Sequence, residues 1–103
     1  MAQAQHNLGV MYGQGRGVQK NFFEAFWWFK RAAEQGYGQA QYNLGLMYSR
    51  GEGVPKDNEE AIKWYRLSTE QGISGAQSNL GLMYEKGLGV EQDYIEAHKW
   101  FNI

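Results

Sequence analysis

A short motif that recurs at a fixed interval limits the possible fold more than any other feature. Leu-Gly-Val-Met-Tyr occupies residues 8–12, and Leu-Gly-Leu-Met-Tyr follows at residues 44–48 and 80–84, a spacing of 36 residues. A period of roughly 20 to 50 residues is typical of a solenoid, in which each unit buries its apolar face against its neighbours. The sequence therefore predicts three repeats, 1–36, 37–72 and a shorter 73–103, that together form one solenoid domain.

The three repeats align without an insertion. With Met1 set against Tyr37 and Ile73, thirteen of the first 31 positions are identical in all three repeats. In the first repeat these positions are Ala4, Gln5, Asn7, Leu8, Gly9, Met11, Tyr12, Gly15, Gly17, Val18, Glu24, Ala25 and Trp28. The third repeat stops five residues short of a full unit and no leader precedes the first, so we expect a segment of a longer array.

Each repeat contains two segments with the helical period, which we call helix A and helix B. In the second repeat the periodic residues are Ala40, Leu44, Met47 and Tyr48 in helix A, and Ala61, Trp64, Tyr65 and Ser68 in helix B. Apolar residues three and four positions apart share one helix face, and the glycine-containing turn between the segments is short. The pattern predicts an antiparallel pair of helices in each repeat.

Polar residues mark where these helices begin. Asn21, Asp57 and Asp93 precede helix B, and each is followed three positions later by Glu24, Glu60 or Glu96. This is the spacing of a capping box, so we interpret the glutamates as caps and not as catalytic residues. Gln5, Gln41 and Gln77 are interpreted in the same way, as residues of the first turn of helix A that reach back to its start.

Glycines are predicted to end the helices and to allow close packing. Pairs of glycines follow helix A at Gly15 and Gly17, Gly51 and Gly53, and Gly87 and Gly89, while Gly36 and Gly72 follow helix B. Gly9, Gly45 and Gly81 instead lie inside helix A, where a glycine costs about 1 kcal/mol relative to alanine. We expect them to pack closely against Ala25, Ala61 and Ala97, with Trp28, Trp64 and Trp100 filling the wider part of each layer.

The combined pattern resembles the Sel1-like repeat, a relative of the tetratricopeptide repeat. In the second repeat it comprises Ala40, Leu44, Gly45, Tyr48, Gly51, Gly53, Val54, Asp57, Ala61, Trp64 and Tyr65. The Gly-x-Gly-Val turn and the longer period distinguish it from the tetratricopeptide form of roughly 34 residues. The resemblance implies an all-α, right-handed α/α superhelical solenoid that acts as an adaptor or scaffold in protein assemblies, often in bacteria.

Composition limits the class of partner. The net charge is −1 and the ten basic residues are spread along the sequence, so a nucleic-acid partner is not expected. The chain contains no cysteine, no apolar run of membrane-spanning length and no signal peptide. These observations predict a soluble segment without a metal or other cofactor, and they are compatible with either the cytoplasm or the periplasm.

The candidate binding site is the face of helix A opposite its packed side. The resemblance supports this choice, because arrays of this kind usually bind on the concave surface that helix A lines. The predicted residues are His6, Asn7 and Val10 in the first repeat, Gln39, Tyr42, Asn43, Leu46, Ser49 and Arg50 in the second, and Ser78, Asn79 and Leu82 in the third, with Gln3, Glu85 and Lys86 at matching positions. The three asparagines are identical among the repeats, and an amide group suits either a peptide backbone or a ladder that joins neighbouring helices.

A second candidate surface occurs in the first repeat. Phe23 and Trp27 occupy positions that hold Glu59 and Lys63 in the second repeat, so the pattern predicts that both aromatic side chains face solvent. Together with the adjacent Phe22 and Phe26 they are predicted to form a patch for a protein contact. The alternatives are contact with a further repeat, or different packing at the end of the array.

The sequence does not predict an enzyme. His6 and His98 occupy non-equivalent positions in different repeats, so we interpret them as surface or groove residues without a shared metal. The glycine-rich segment 13–17 follows a helix and is not followed by Gly-Lys-Ser/Thr, which argues against a phosphate-binding loop. A β-lactamase-like hydrolase, discussed for some cysteine-rich relatives, is a remote alternative because the chain lacks a Ser-x-x-Lys motif.

Two non-enzymatic functions remain. The first is an adaptor that binds a protein or peptide through the helix A surface. The second is self-association, in which apolar faces at the ends of the array stack against another copy.

Overall fold

The computed structural model describes residues 1–101 and contains six α-helices within that range. The helices are α1 (Ala2–Gln14), α2 (Phe22–Glu34), α3 (Gly38–Arg50), α4 (Asn58–Glu70), α5 (Ser74–Lys86) and α6 (Tyr94–Phe101). Helix A of the repeats corresponds to α1, α3 and α5, and helix B to α2, α4 and α6. Each helix packs mainly against the helices before and after it in the chain. The predicted all-α solenoid of helix pairs is confirmed.

The predicted caps form at the start of each helix B. Asn21 and Asp57 accept hydrogen bonds from the backbone N–H groups of Glu24 and Glu60, at 3.2 and 3.1 Å, and Asp93 caps α6 in the same way. The expectation that the side chains of Glu24, Glu60 and Glu96 also act as caps, by accepting the N–H group of the cap residue, is wrong. The cap residues' own N–H groups donate to the carbonyls of Tyr12, Tyr48 and Tyr84 in helix A at 2.8–2.9 Å, so this donor already has an acceptor.

The glutamines of the first turn of helix A also differ from the prediction. Gln41 is buried, and its Nε2 donates to the carbonyl of Ala33 at 3.2 Å, while Gln5 accepts a hydrogen bond from Gln35. Both glutamines therefore connect helix A to the end of α2. The Ala33 carbonyl also accepts the backbone N–H of Gly36 at 3.0 Å, so Gln41 adds a second donor to a carbonyl in the last turn of α2.

The glycines inside helix A permit close packing, as predicted, but their partner is different. A Cβ atom at Gly45 would lie 2.6 Å from Cε1 of Tyr65, and Gly9 and Gly81 face the rings of Phe29 and Phe101 in the same way. The contact is thus made mainly with an aromatic ring of helix B and not with the predicted alanines. Glycine is needed because the ring atoms lie too close to the helix backbone to leave room for a Cβ atom.

The glycine turns connect successive repeats. A Cβ atom at Gly53 would lie 2.8 Å from the carbonyl carbon of Phe22, and one at Gly89 would lie 2.8 Å from that of Asn58. Each turn therefore packs on the first residue of the preceding helix B. Gly17 makes no such contact, since a Cβ atom there would meet only Met11 at 3.7 Å.

Two hydrophobic clusters form the core. The first joins α2 and α3 and includes Trp64, whereas the second joins α4 and α5 and includes Ala97 of α6. Trp64 is buried as predicted, but Trp28 and Trp100 are only half-buried. The middle repeat therefore contributes to both clusters, since Tyr65 of the same helix lies in the second.

Candidate functional site

Two grooves open between consecutive A helices. The first groove lies between α1 and α3 over α2 and has a volume of about 320 Å³, and the second lies between α3 and α5 over α4 and has a volume of about 270 Å³. Their walls are built from equivalent residues of successive repeats: Val10 and Leu46, Lys20 and Lys56, Phe29 and Tyr65, Asn43 and Asn79, Leu46 and Leu82, and Met47 and Met83. The array thus presents the same site twice, 36 residues apart in sequence.

Leu46 and Arg50 line both grooves. Both residues lie on α3, which forms the wall between the two sites, so a ligand that spans the grooves would pass over them. The Arg50 side chain is 60% exposed, and its Nη1 lies 4.0 Å from a carboxylate oxygen of Glu52. An exposed pair at this distance contributes little to stability. The guanidinium group is therefore available to a ligand at small energetic cost.

The structure buries His6, which the sequence had placed on the groove surface. Its ring lies between those of Phe29 and Tyr37, with centroids 5.5 and 5.1 Å away, and its Nε2 is 2.9 Å from Nδ2 of Asn43. Burial lowers the pKa of His6. The interpretation of His6 as a surface or groove residue is therefore wrong, because the residue joins α1 to α3.

The asparagines of helix A take part in hydrogen bonds between helices. Asn43 bonds to His6 as described, and Nδ2 of Asn79 lies 3.5 Å from the hydroxyl of Tyr65. The same hydroxyl is 3.4 Å from Oγ of Ser49, and burial raises the pKa of Tyr65 so that it remains protonated. These contacts favour the amide ladder for Asn43 and Asn79, whereas Asn7 is exposed.

Tyr42 also connects helices. Its ring centroid lies 6.2 Å from that of Tyr65, and a Cβ atom at Gly75 would approach its Cζ to 2.9 Å. Gly75 therefore accommodates the tyrosine at the contact between α3 and α5. Replacing Tyr42 with alanine would open this contact, so the residue is a poor probe of ligand binding.

The predicted site residues divide into those inside and those outside the two grooves. The grooves contain Val10, Asn43, Leu46, Ser49, Arg50, Asn79 and Leu82. The residues outside them are the exposed Gln3, Asn7, Gln39, Ser78 and Lys86, the half-buried Tyr42 and Glu85, and the buried His6. The grooves also contain two residues that were not predicted, Lys20 and Lys56, which lie in the turn after helix A. Their signal in the sequence is a lysine at the same position of two repeats.

The aromatic patch is smaller than the sequence suggested. Phe23 is 77% exposed and Trp27 is 50% exposed, as the pattern predicts. Phe22 and Phe26 instead pack against the first hydrophobic cluster. The guanidinium carbon of Arg31 lies 4.5 Å from the centroid of Trp27, a distance typical of a cation–π contact.

Residues 1–101 contain neither a metal-binding cluster nor a membrane-spanning helix. No group of three or more histidine, aspartate or glutamate side chains is arranged to hold a metal ion. None of the helices in this range is both long and apolar enough to cross a membrane.

The Sel1 repeat family model matches the chain at residues 2–37, 38–73 and 74–103. The chain belongs to the Sel1 repeat family. Proteins of this family generally mediate protein–protein interactions, and the fold is generally a non-enzymatic scaffold. A comparison with curated proteins gave no match.

Solved structures of Sel1 repeat proteins are similar to this chain. A protective antigen of uropathogenic Escherichia coli strains that displays an SLR fold is 42% identical, with a TM-score of 0.97 over 98% of this chain and 22% of the antigen. A Sel1 repeat protein from Oxalobacter formigenes is also 42% identical, with a TM-score of 0.94 over 98% of this chain and 42% of its own. The chain thus spans less than half of each protein, and both are bacterial, which indicates a bacterial origin.

Proposed function

We propose that this Sel1 repeat segment is an adaptor that binds a protein or peptide along the two grooves between its A helices. The observation on which the proposal rests is that the structure repeats one groove in successive repeats. If the residues around helix B served only to pack the array, the structure would not need a second open groove with equivalent walls. Because the grooves are arranged in series and share Leu46 and Arg50, one extended segment fits both better than two small molecules.

The groove walls combine apolar and polar groups, a combination that suits a peptide. The second groove contains Leu82 and Leu88, which are 40% and 39% exposed, beside the polar side chains of Ser49 and Asn58. Exposed leucines offer apolar area to a ligand without being required by the core. Polar groups next to them fix the direction and register of a bound chain.

Affinity capture with matched variants tests the proposal. The groove variant is Leu82→Ser/Leu88→Ser, and the control is Phe23→Ser/Ile95→Ser, which removes two exposed apolar side chains from the B helices. Thermal unfolding first establishes that both variants are folded, because Leu82 and Leu88 are only 40% and 39% exposed whereas Phe23 and Ile95 are 77% and 85% exposed. We expect a protein from a lysate of the source bacterium to be retained by the parent chain and the control, and lost from the groove variant.

Other outcomes of this capture contradict the proposal. If the captured protein were lost only from the Phe23→Ser/Ile95→Ser variant, the binding site would lie on the B helices. Retention by both variants would show that the second groove makes no contribution.

We also propose that the segment has no catalytic activity. The groove side chains are mainly apolar, amide or cationic, and the chain has no Ser-x-x-Lys motif. Hydrolysis of a nitrocefin-type substrate at a rate above that of buffer would contradict this and revive the hydrolase alternative.

Self-association is the second candidate function. Tyr94 and Ile95 of α6 are 66% and 85% exposed, and Phe23 and Trp27 form an exposed apolar surface on α2. These surfaces lie on the first and last B helices of the segment, where stacking of another copy would cover them. Sedimentation equilibrium up to several hundred micromolar tests this function, and a strictly monomeric species would remove it.

A further inference from the structure

The charges of this chain are divided unevenly between the A and B segments of its repeats. The A segments, comprising residues 1–20, 37–56 and 73–92, carry five cationic and three acidic side chains. The B segments, comprising residues 21–36, 57–72 and 93–103, carry five cationic and eight acidic side chains. The net charge of −1 is therefore the sum of +2 in the A segments and −3 in the B segments.

Three of the five cationic side chains of the A segments line the grooves. Lys20 and Arg50 line the first groove together with Glu52, and Arg50 and Lys56 line the second. The second groove contains no carboxylate among its described lining residues. Each groove thus has an apolar floor and two cationic side chains at its wall.

We propose that the occupant of the grooves is an extended peptide segment with acidic side chains, one for each groove, and apolar side chains between them. This inference rests on the proposed function and specifies its partner. A carboxylate in the first groove lies next to Lys20 and Arg50, and a second carboxylate lies next to Arg50 and Lys56. Charge complementarity of this kind selects partners and fixes the register of binding.

The dimensions of the array set the spacing of the acidic residues. The long axis of 43 Å is shared by three repeats, so successive grooves are roughly 14 Å apart. An extended chain advances about 3.3 Å per residue and returns to the same face every second residue. Four residues therefore cover the distance, and acidic side chains at positions i and i+4 face the grooves together with an apolar side chain at i+2.

A nucleic acid fits this surface less well than an acidic peptide. The floor of each groove is apolar, with Val10 and Phe29 in the first and Leu82 and Leu88 in the second. The surrounding B segments are negative overall. A long polyanion would gain from only three cationic groove side chains and would be repelled by the flanking surface.

The probe is a fluorescein-labelled peptide, Ser-Glu-Ser-Leu-Ser-Glu-Ser-Leu-Ser, measured by fluorescence polarisation at low and high salt. Its four side chains at even positions share one face in the extended conformation, and the two glutamates are four residues apart. Three control peptides replace both glutamates by glutamine, replace both by lysine, or place the two glutamates on adjacent residues. A single-stranded oligonucleotide of similar length is the polyanion control.

The matched protein variants remove the same charge from opposite sides. The groove variant is Lys20→Gln/Arg50→Gln/Lys56→Gln, and the control is Lys30→Gln/Lys63→Gln/Lys99→Gln on the B helices. Both lose three positive charges, so a general effect of net charge is equal in the two. Circular dichroism and thermal unfolding establish that each variant is folded.

We expect the glutamate peptide to bind about tenfold more tightly than the glutamine peptide at low salt, the effect of two exposed charge pairs. The difference should shrink at high salt and disappear in the groove variant, but persist in the control variant. Equal binding of the glutamate and glutamine peptides, or an equal loss in both protein variants, would overturn the inference.

The remaining outcomes separate this inference from the proposed function. Binding of the neutral or lysine peptide that is lost in Leu82→Ser/Leu88→Ser would leave the groove as a peptide site but overturn an acidic partner. Tighter binding of the oligonucleotide than of the glutamate peptide would replace the peptide by a nucleic acid. Failure of every peptide to bind would overturn the acidic-peptide inference, while the capture experiment with the Leu82→Ser/Leu88→Ser variant would still decide the proposed function.

Discussion

At the scale of single residues, a glycine in the middle of helix A determines how closely the two helices of a repeat approach. Gly45 packs against the buried ring of Tyr65, whereas Gly13 of α1 faces only Cβ of Ala25, at 3.6 Å from where its own Cβ would lie. Helix propensity favours alanine at both positions by about 1 kcal/mol. Because the Tyr65 ring cannot leave the core freely, we expect Gly45→Ala to lower the free energy of unfolding and Gly13→Ala to leave it unchanged or raise it.

Urea unfolding of both glycine variants measures this difference. Stabilisation by Gly45→Ala would contradict the close packing of α3 on Tyr65.

His6 gives the stability of the array a dependence on pH. Burial lowers its pKa in the folded protein below the ordinary value of 6.5, so the unfolded chain binds the proton first as the pH falls through that value. The contribution of His6 is therefore complete above pH 6.5 and decreases below it. We expect the free energy of unfolding of the parent chain to fall relative to that of His6→Gln between pH 7.5 and pH 5.

Thermal unfolding at a series of pH values measures the contribution of His6. Parallel pH profiles of the two proteins would show that His6 is not buried between α1 and α3.

At the scale of the helices, stability depends on side chains that connect neighbouring layers. Trp64 of α4 packs in the cluster formed by α2 and α3, and it is 9% exposed, whereas Trp27 of α2 is 50% exposed. Large-to-small changes in a core cost about 3–5 kcal/mol for tryptophan. We expect Trp64→Ala to lower the free energy of unfolding by about this amount or to unfold the chain, and Trp27→Ala to cost about 1 kcal/mol or less.

The two tryptophan variants make the same chemical change at a buried and an exposed position. Equal stability of the two in urea would contradict the assignment of Trp64 to the core.

The sequence predicted the helices well because their signals are local. The period of the apolar residues, the Asn and Asp caps and the glycine turns act within one repeat, and they recur three times. Contacts between repeats were less predictable. The burial of His6 depends on Phe29, Tyr37 and Asn43, which lie outside α1. Lys20 lines the same groove as Arg50 of the next repeat because of how the repeats stack.

At the scale of the whole molecule, the stacking of repeats creates grooves, which no single repeat contains. A groove needs helix A of one repeat, helix B of the same repeat and helix A of the next. Three repeats therefore give two grooves, and a longer array with the same stacking gives one more for each added repeat. The affinity for an extended partner is then expected to increase with repeat number, because linked sites raise the effective concentration at one another.

Binding of a partner along the A helices is best measured by hydrogen–deuterium exchange of the chain, alone and with the protein obtained by affinity capture. We predict slower exchange in α3, α5 and the turns at residues 15–20 and 51–56, with little change on the exposed side of α2 and α4. Protection confined to the surface around Phe23, Trp27 and Ile95 would contradict it.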